Sequence, residues 1–121
     1  MPHAPDTSGP GIEVTDLARV PGAGGVVWSA APAGCHVNLV VLDPGQSVAL
    51  HRNDAVDVQI VVTAGSGTAH VEGRAIDLEA LVTLTVPRGA VRSIGAGDDG
   101  LRYLTIHAQR PPLAIGPTRA E

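Results

Sequence analysis

Hydrophobic and polar residues alternate along most of this chain with a period of two, in short runs separated by turn chemistry. The clearest run is 56–63, where Val56, Val58, Ile60 and Val62 fall on one face and Asp57, Gln59, Val61 and Thr63 on the other. That pattern predicts a half-buried β-strand whose first face is core. The same reading predicts strands at 26–29, 35–42, 47–51, 56–63, 68–71, 74–77, 82–86, 91–94 and 101–107, about nine in all. Between them lie Asp43-Pro44-Gly45, Ala64-Gly65-Ser66-Gly67, Glu72-Gly73, Pro87-Arg88-Gly89 and the glycine-rich 95–100. Each reads as a turn, because glycine reaches positive φ and proline fixes φ for tight reversals. One short helical turn near 14–20 is the only departure from this rhythm. Closely spaced strands with no helices between them pair antiparallel, as in a sandwich or barrel.

Composition narrows the picture. A chain of 121 residues has room for one domain and one core. The domain is expected to span 12–110, between a flexible N-terminal tail at 1–11 and a Pro-rich C-terminal tail at 111–121. With no Phe, one Trp and one Tyr, the core must be aliphatic. The net charge is −4 and all eight cations are arginines with no basic run, which excludes nucleic acid and anionic lipid as main partners. The longest apolar stretch, 39–42, is far shorter than the ~20 residues of a membrane helix. No charged, apolar leader opens the chain, so the expected location is cytoplasmic. A single cysteine, Cys35, forms no internal disulfide, and its place in an alternating run makes it a small packing residue.

Several motifs fail on physical grounds. Gly95-x-Gly97-x-x-Gly100 has the letters of a dinucleotide loop, but a strand follows it and Asp98 and Asp99 would repel a phosphate, so it is expected to be a hairpin turn. No serine sits in a G-x-S-x-G elbow and no histidines pair at helical spacing, which leaves hydrolase and zinc-peptidase chemistry without support.

One constellation stands out: Pro44-Gly45, His51-x-Asn53, Gly65-Ser66-Gly67 and Pro87-x-Gly89-x-x-Arg92. It resembles the two motifs of the cupin superfamily, G-x5-H-x-H-x3-4-E-x6-G and G-x5-P-x-G-x2-H-x3-N. The resemblance covers 35–107 and implies an antiparallel double-stranded β-helix, the cupin-type jelly-roll barrel, with ligands bound in its mouth. It also implies where a metal would sit, at the positions held here by His51, Asn53, Val58 and Arg92. Of these only His51 is an ordinary transition-metal ligand: Val58 has no donor atom, a neutral amide is a poor one, and a guanidinium repels cations. Moving the register by one residue brings Asp57 to the carboxylate position but turns it to the opposite face unless a bulge intervenes. No metal is therefore expected, and a divalent transition metal at His51 is the alternative.

If His51, Asn53 and Arg92 converge, they offer one titratable imidazole, one amide and one fixed cation, which suits a small anionic or carbonyl-bearing molecule. The resemblance then implies the chemistry of metal-free cupin isomerases, epimerases and cyclases, with His51 as acid or base and Arg92 as anion anchor. Tyr103 is a candidate proton donor and Gln59 a candidate ligand contact, each dependent on which face its strand turns inward. His36 and His107 share that dependence, His70 is expected in solvent, and Trp28 is expected to plug a packing gap. A homodimer is expected, because half-apolar outer faces and strand edges need cover. Two other classes stay open: a metal-dependent dioxygenase or isomerase with an atypical site around His51, and a non-catalytic sensor or assembly module whose barrel is filled by Val, Leu and Ile.

Overall fold

A computed structural model describes residues 11–109, and the expected tails at 1–11 and 111–121 lie outside the described residues apart from Gly11. Seven strands follow one 3₁₀ turn, Leu17–Arg19: β1 (Gly25–Ala30), β2 (Cys35–Leu42), β3 (Ser47–Arg52), β4 (Val58–Val71), β5 (Arg74–Glu79), β6 (Thr83–Val86) and β7 (Val91–Ala108). All pairings are antiparallel.

The expected count of nine strands is corrected to seven, because 56–63 and 68–71 are one strand, β4, and 91–94 and 101–107 are one strand, β7. The glycines between them do not reverse the chain. They let the two long strands bend past each other at close range. A Cβ on Gly65 would collide with the Gly100 carbonyl, and one on Gly67 with the Gly95 carbonyl. Pairing jumps from Gly65↔Leu101 to Gly67↔Ala96, so 97–100 bulge out of the ladder. The Gly95-x-Gly97-x-x-Gly100 segment is thus a bulge within β7 and not a hairpin turn.

This bend makes β4 and β7 serve both walls of the barrel. The second half of β7 pairs β2 and the first half of β4, which carries β6 on its other edge. The first half of β7 pairs β3 and the second half of β4, which carries β5. The enclosed core is aliphatic, built from residues such as Leu42, Val58, Ile60, Val62, Leu78, Val86, Ile94 and Leu101, with Tyr103 its one aromatic. The alternation in β4 is as expected: Val58, Ile60 and Val62 are buried, whereas Gln59, Val61 and Thr63 are half-buried. On the opposite face of β2, Leu39 and Val41 are buried as well. There Trp28 stands across from Leu39, and the Arg102 guanidinium donates to the carbonyl oxygens of Leu17 (2.6 Å) and Val20 (3.3 Å), which ties down the 3₁₀ turn. Among the described residues no helix is long and apolar enough to cross a membrane.

Candidate functional site

Period two in β7 puts Arg92 on the same face as Ile94, so a guanidinium enters the barrel where an apolar residue would normally stand. Arg92 is 8 % exposed, and its Nη1 is buried with no hydrogen-bond partner. Among the described residues it makes no ion pair; the two salt bridges there are Arg19–Asp16 and Arg52–Asp54. Burial lowers the tendency of this guanidinium to hold its proton.

His51 reaches the same place through a defect in β3. Val48 pairs with Ile94 and His51 with Arg92, so three steps along β3 match two along β7. The extra residue turns His51 to the face of Val48 and leaves Leu50 outward, 66 % exposed. Desolvation and the positive charge of Arg92 lower the His51 pKa, against a backbone hydrogen bond at Ala49 that raises it. Tyr103, across from Val40 and Val62, completes the group from the floor of the barrel. Burial pushes its phenol up to about 12, with Arg92 pulling the other way.

His51, Arg92 and Tyr103 therefore line one cavity of about 30 Å³, together with Val48, Ser93, Ile94 and Thr105. Thr105 was not among the expected site residues; it lies two positions beyond Tyr103 on the same face, and Asn38 Nδ2 donates to its hydroxyl at 3.4 Å.

Asn53 and Gln59 lie elsewhere. The Asn53 side-chain oxygen accepts from the amides of Ala55 (3.0 Å) and Val56 (3.2 Å), and its carbonyl accepts from Gly89 (2.7 Å). Those bonds hold the β3–β4 connection against the β6–β7 turn. Gln59 sits on the opposite face of β4, donating to Thr83 (2.7 Å) and accepting from Thr85 (2.6 Å). It borders an open cleft of about 820 Å³ with Asp57, whose carboxylate accepts from the Arg88 amide at 2.8 Å. Cys35 and His107 border the same cleft, His36 stacks on His107 with ring centroids 5.3 Å apart, and His70 is exposed.

The ligand set that the resemblance implies for a metal does not fit one. Val58 is core, the Asn53 oxygen is engaged by backbone, and Arg92 brings a positive charge beside His51. Among the described residues no three His, Cys, Asp or Glu side chains come together.

No protein-family model and no curated protein matches the chain. Solved structures do. The Cnp3 cupin domain of Schizosaccharomyces pombe is 17% identical over 78% of this chain and 72% of that one, with a TM-score of 0.69. A cupin protein from Bacteroides fragilis is 23% identical over 71% and 75%, with a TM-score of 0.61. A protein from Thermotoga maritima described as a predicted oxalate decarboxylase is 24% identical over 61% and 64%, with a TM-score of 0.55.

Proposed function

From a chain that has the cupin fold and keeps a guanidinium inside its barrel, we propose a protein that binds small organic oxyanions at Arg92, with His51 placed to move a proton on the bound molecule. The observation that carries this reading is the buried, unpartnered Nη1 of Arg92, a residue that lines one cavity with His51 and Tyr103. An unpaired charge in a dry interior costs several kcal/mol unless something compensates it, and an oxyanion does so with charge-assisted hydrogen bonds.

Each residue has a distinct role. Arg92 holds the anion. Tyr103, whose phenol stays protonated through neutral pH, is a hydrogen-bond donor to it. His51, with its lowered pKa, is mainly neutral at pH 7 and acts as a base. Oxalate, the substrate named for the Thermotoga maritima neighbour, is itself an oxyanion. The test is a thermal-shift panel of small organic acids and phosphates on the wild type and Arg92→Met. Ligands whose stabilisation disappears in the variant support the reading. In D2O, exchange of a bound acid's carbon-bound hydrogens by wild type but not by His51→Asn would establish the proton transfer.

The small cavity and the aliphatic packing around it favour a second reading, the non-catalytic sensor or assembly module. A panel with no Arg92-dependent ligand would decide for it.

A further inference from the structure

Accepting Arg92 as an anion anchor, we propose that the site takes monocarboxylates in preference to tetrahedral oxyanions: the carboxylate enters the cavity, held by Arg92 and Tyr103, while the rest of the acid extends past His51 into solvent.

Room is the first ground. A water-sized occupant needs about 10–15 Å³ of such space, so a cavity of about 30 Å³ takes two oxygens and little more. A carboxylate presents two oxygens in a plane. Phosphate and sulfate present four around a tetrahedron, and the additional ones would press on Val48 and Ile94. Both are β-branched, Ile94 within the core and Val48 half-buried against it, so they yield little.

Charge points the same way. Arg92 supplies one full positive charge, and burial together with Arg92 itself disfavours a second on His51. The neighbouring Arg52 is engaged by Asp54 at 3.0 Å. A monoanion is thus matched, whereas the dianionic form of phosphate would enter with uncompensated charge. Tyr103 lines the same cavity, keeps its proton through neutral pH and adds a second donor there. The way out is fixed by exposure: Ile94 and Tyr103 are buried, whereas His51 is exposed, so a substituent leaves on the His51 side.

The experiment is a ¹H–¹⁵N NMR titration of the full chain at pH 7 with propanoate and, separately, inorganic phosphate at matched ionic strength, following the Arg92 Nε–H and the amides of Ser93 and Ile94. Saturable shifts with propanoate and at least about tenfold weaker ones with phosphate are expected. Tyr103→Phe keeps the charge and the ring and should weaken propanoate about five- to tenfold. Phosphate binding as tightly as propanoate would overturn the selection while leaving the anion anchor in place. No saturation by either ion would overturn both. Shifts that persist in Arg92→Met would place the ions elsewhere and overturn the proposal; the wild-type comparison stands without that variant.

Discussion

Two polar clusters lie on opposite faces of the paired strands β4 and β7, and they differ in one respect. Outside the barrel, Gln59 donates to Thr83 and accepts from Thr85, and the Thr83 hydroxyl donates to the Ile60 carbonyl at 2.7 Å. Every polar atom of that amide is answered from within the sheet. Inside, Arg92 leaves Nη1 buried and without a hydrogen-bond partner among the described residues. Polarity on a strand therefore does not mark a site; unmet hydrogen-bonding capacity does. The outer cluster is closed by its own hydrogen bonds, and the inner one retains the donor that the proposed anion would take.

The largest effect that separates them is expected from Arg92→Met. Anion binding should fall about 100-fold, while the midpoint of thermal unfolding holds or rises by a few degrees, because a buried unpaired charge is replaced by apolar volume. Calorimetry and ligand titration on one preparation read both. A clear drop in melting temperature would mean that Arg92 is already satisfied, and the contrast between the clusters would disappear.

A metal would close the inner cluster in a different way. Protein purified without chelator is expected to hold far less than one equivalent of Fe, Mn, Ni or Zn by elemental analysis, since His51 is the one ordinary ligand in the set the resemblance implies and the Arg92 guanidinium lines the same cavity. A stoichiometric metal lost in His51→Ala would restore the metal-dependent reading.

The outer cluster should respond in the opposite sense to Arg92. Gln59→Ala removes two side-chain hydrogen bonds and is expected to cost about 1–2 kcal/mol in urea unfolding with no change in anion affinity. An affinity change of tenfold would assign Gln59 to the site after all.

Tyr103 is the chain's only tyrosine, so alkaline absorbance reports it alone. Its titration is expected near 12 rather than 10, and higher still in Arg92→Met, where the nearby positive charge is gone. The unfolded chain ionises first, so stability is expected to fall as pH rises from 10 towards 12. A midpoint near 10 would place the phenol in water.

What the sequence could and could not say follows from these residues. The inward face of β4 comes directly from period two, whereas Arg92 is a candidate only through the cupin resemblance, and its interior position is a finding of the structure. Glycine was ambiguous: the letters at 64–67 and 95–100 serve a tight turn or a close strand crossing equally well, and only the pairing of β4 with β7 decides. His51 was ambiguous in another way. Simple alternation from Val48 would have turned it out, and a one-residue bulge turned it in. Asn53 is a candidate by its place in the cupin motif and Gln59 by the open choice of strand face, but their partners, a neighbouring turn and a pair of threonines, are set by tertiary contacts that no local pattern contains.

The smallest effect is also the most specific to the inner cluster. In the unfolded chain His51 takes its proton near 6.5, and in the fold it does so at lower pH, because of burial and Arg92. Between those two values the unfolded state binds more protons, so stability of the free protein falls as pH drops through that window. An oxyanion beside His51 reverses the local charge and favours the imidazolium, so anion affinity should rise over the same interval. Because His51 is exposed, both slopes are shallow, about twofold in affinity between pH 7 and pH 5.5. His51→Asn should flatten both, since the amide does not titrate there. Titrating propanoate into wild type and variant across that range measures the difference. A wild-type affinity that stays level or declines towards acid would mean that His51 does not stand next to the bound charge, and the proton-transfer role assigned to it would fall while the anion anchor at Arg92 remained.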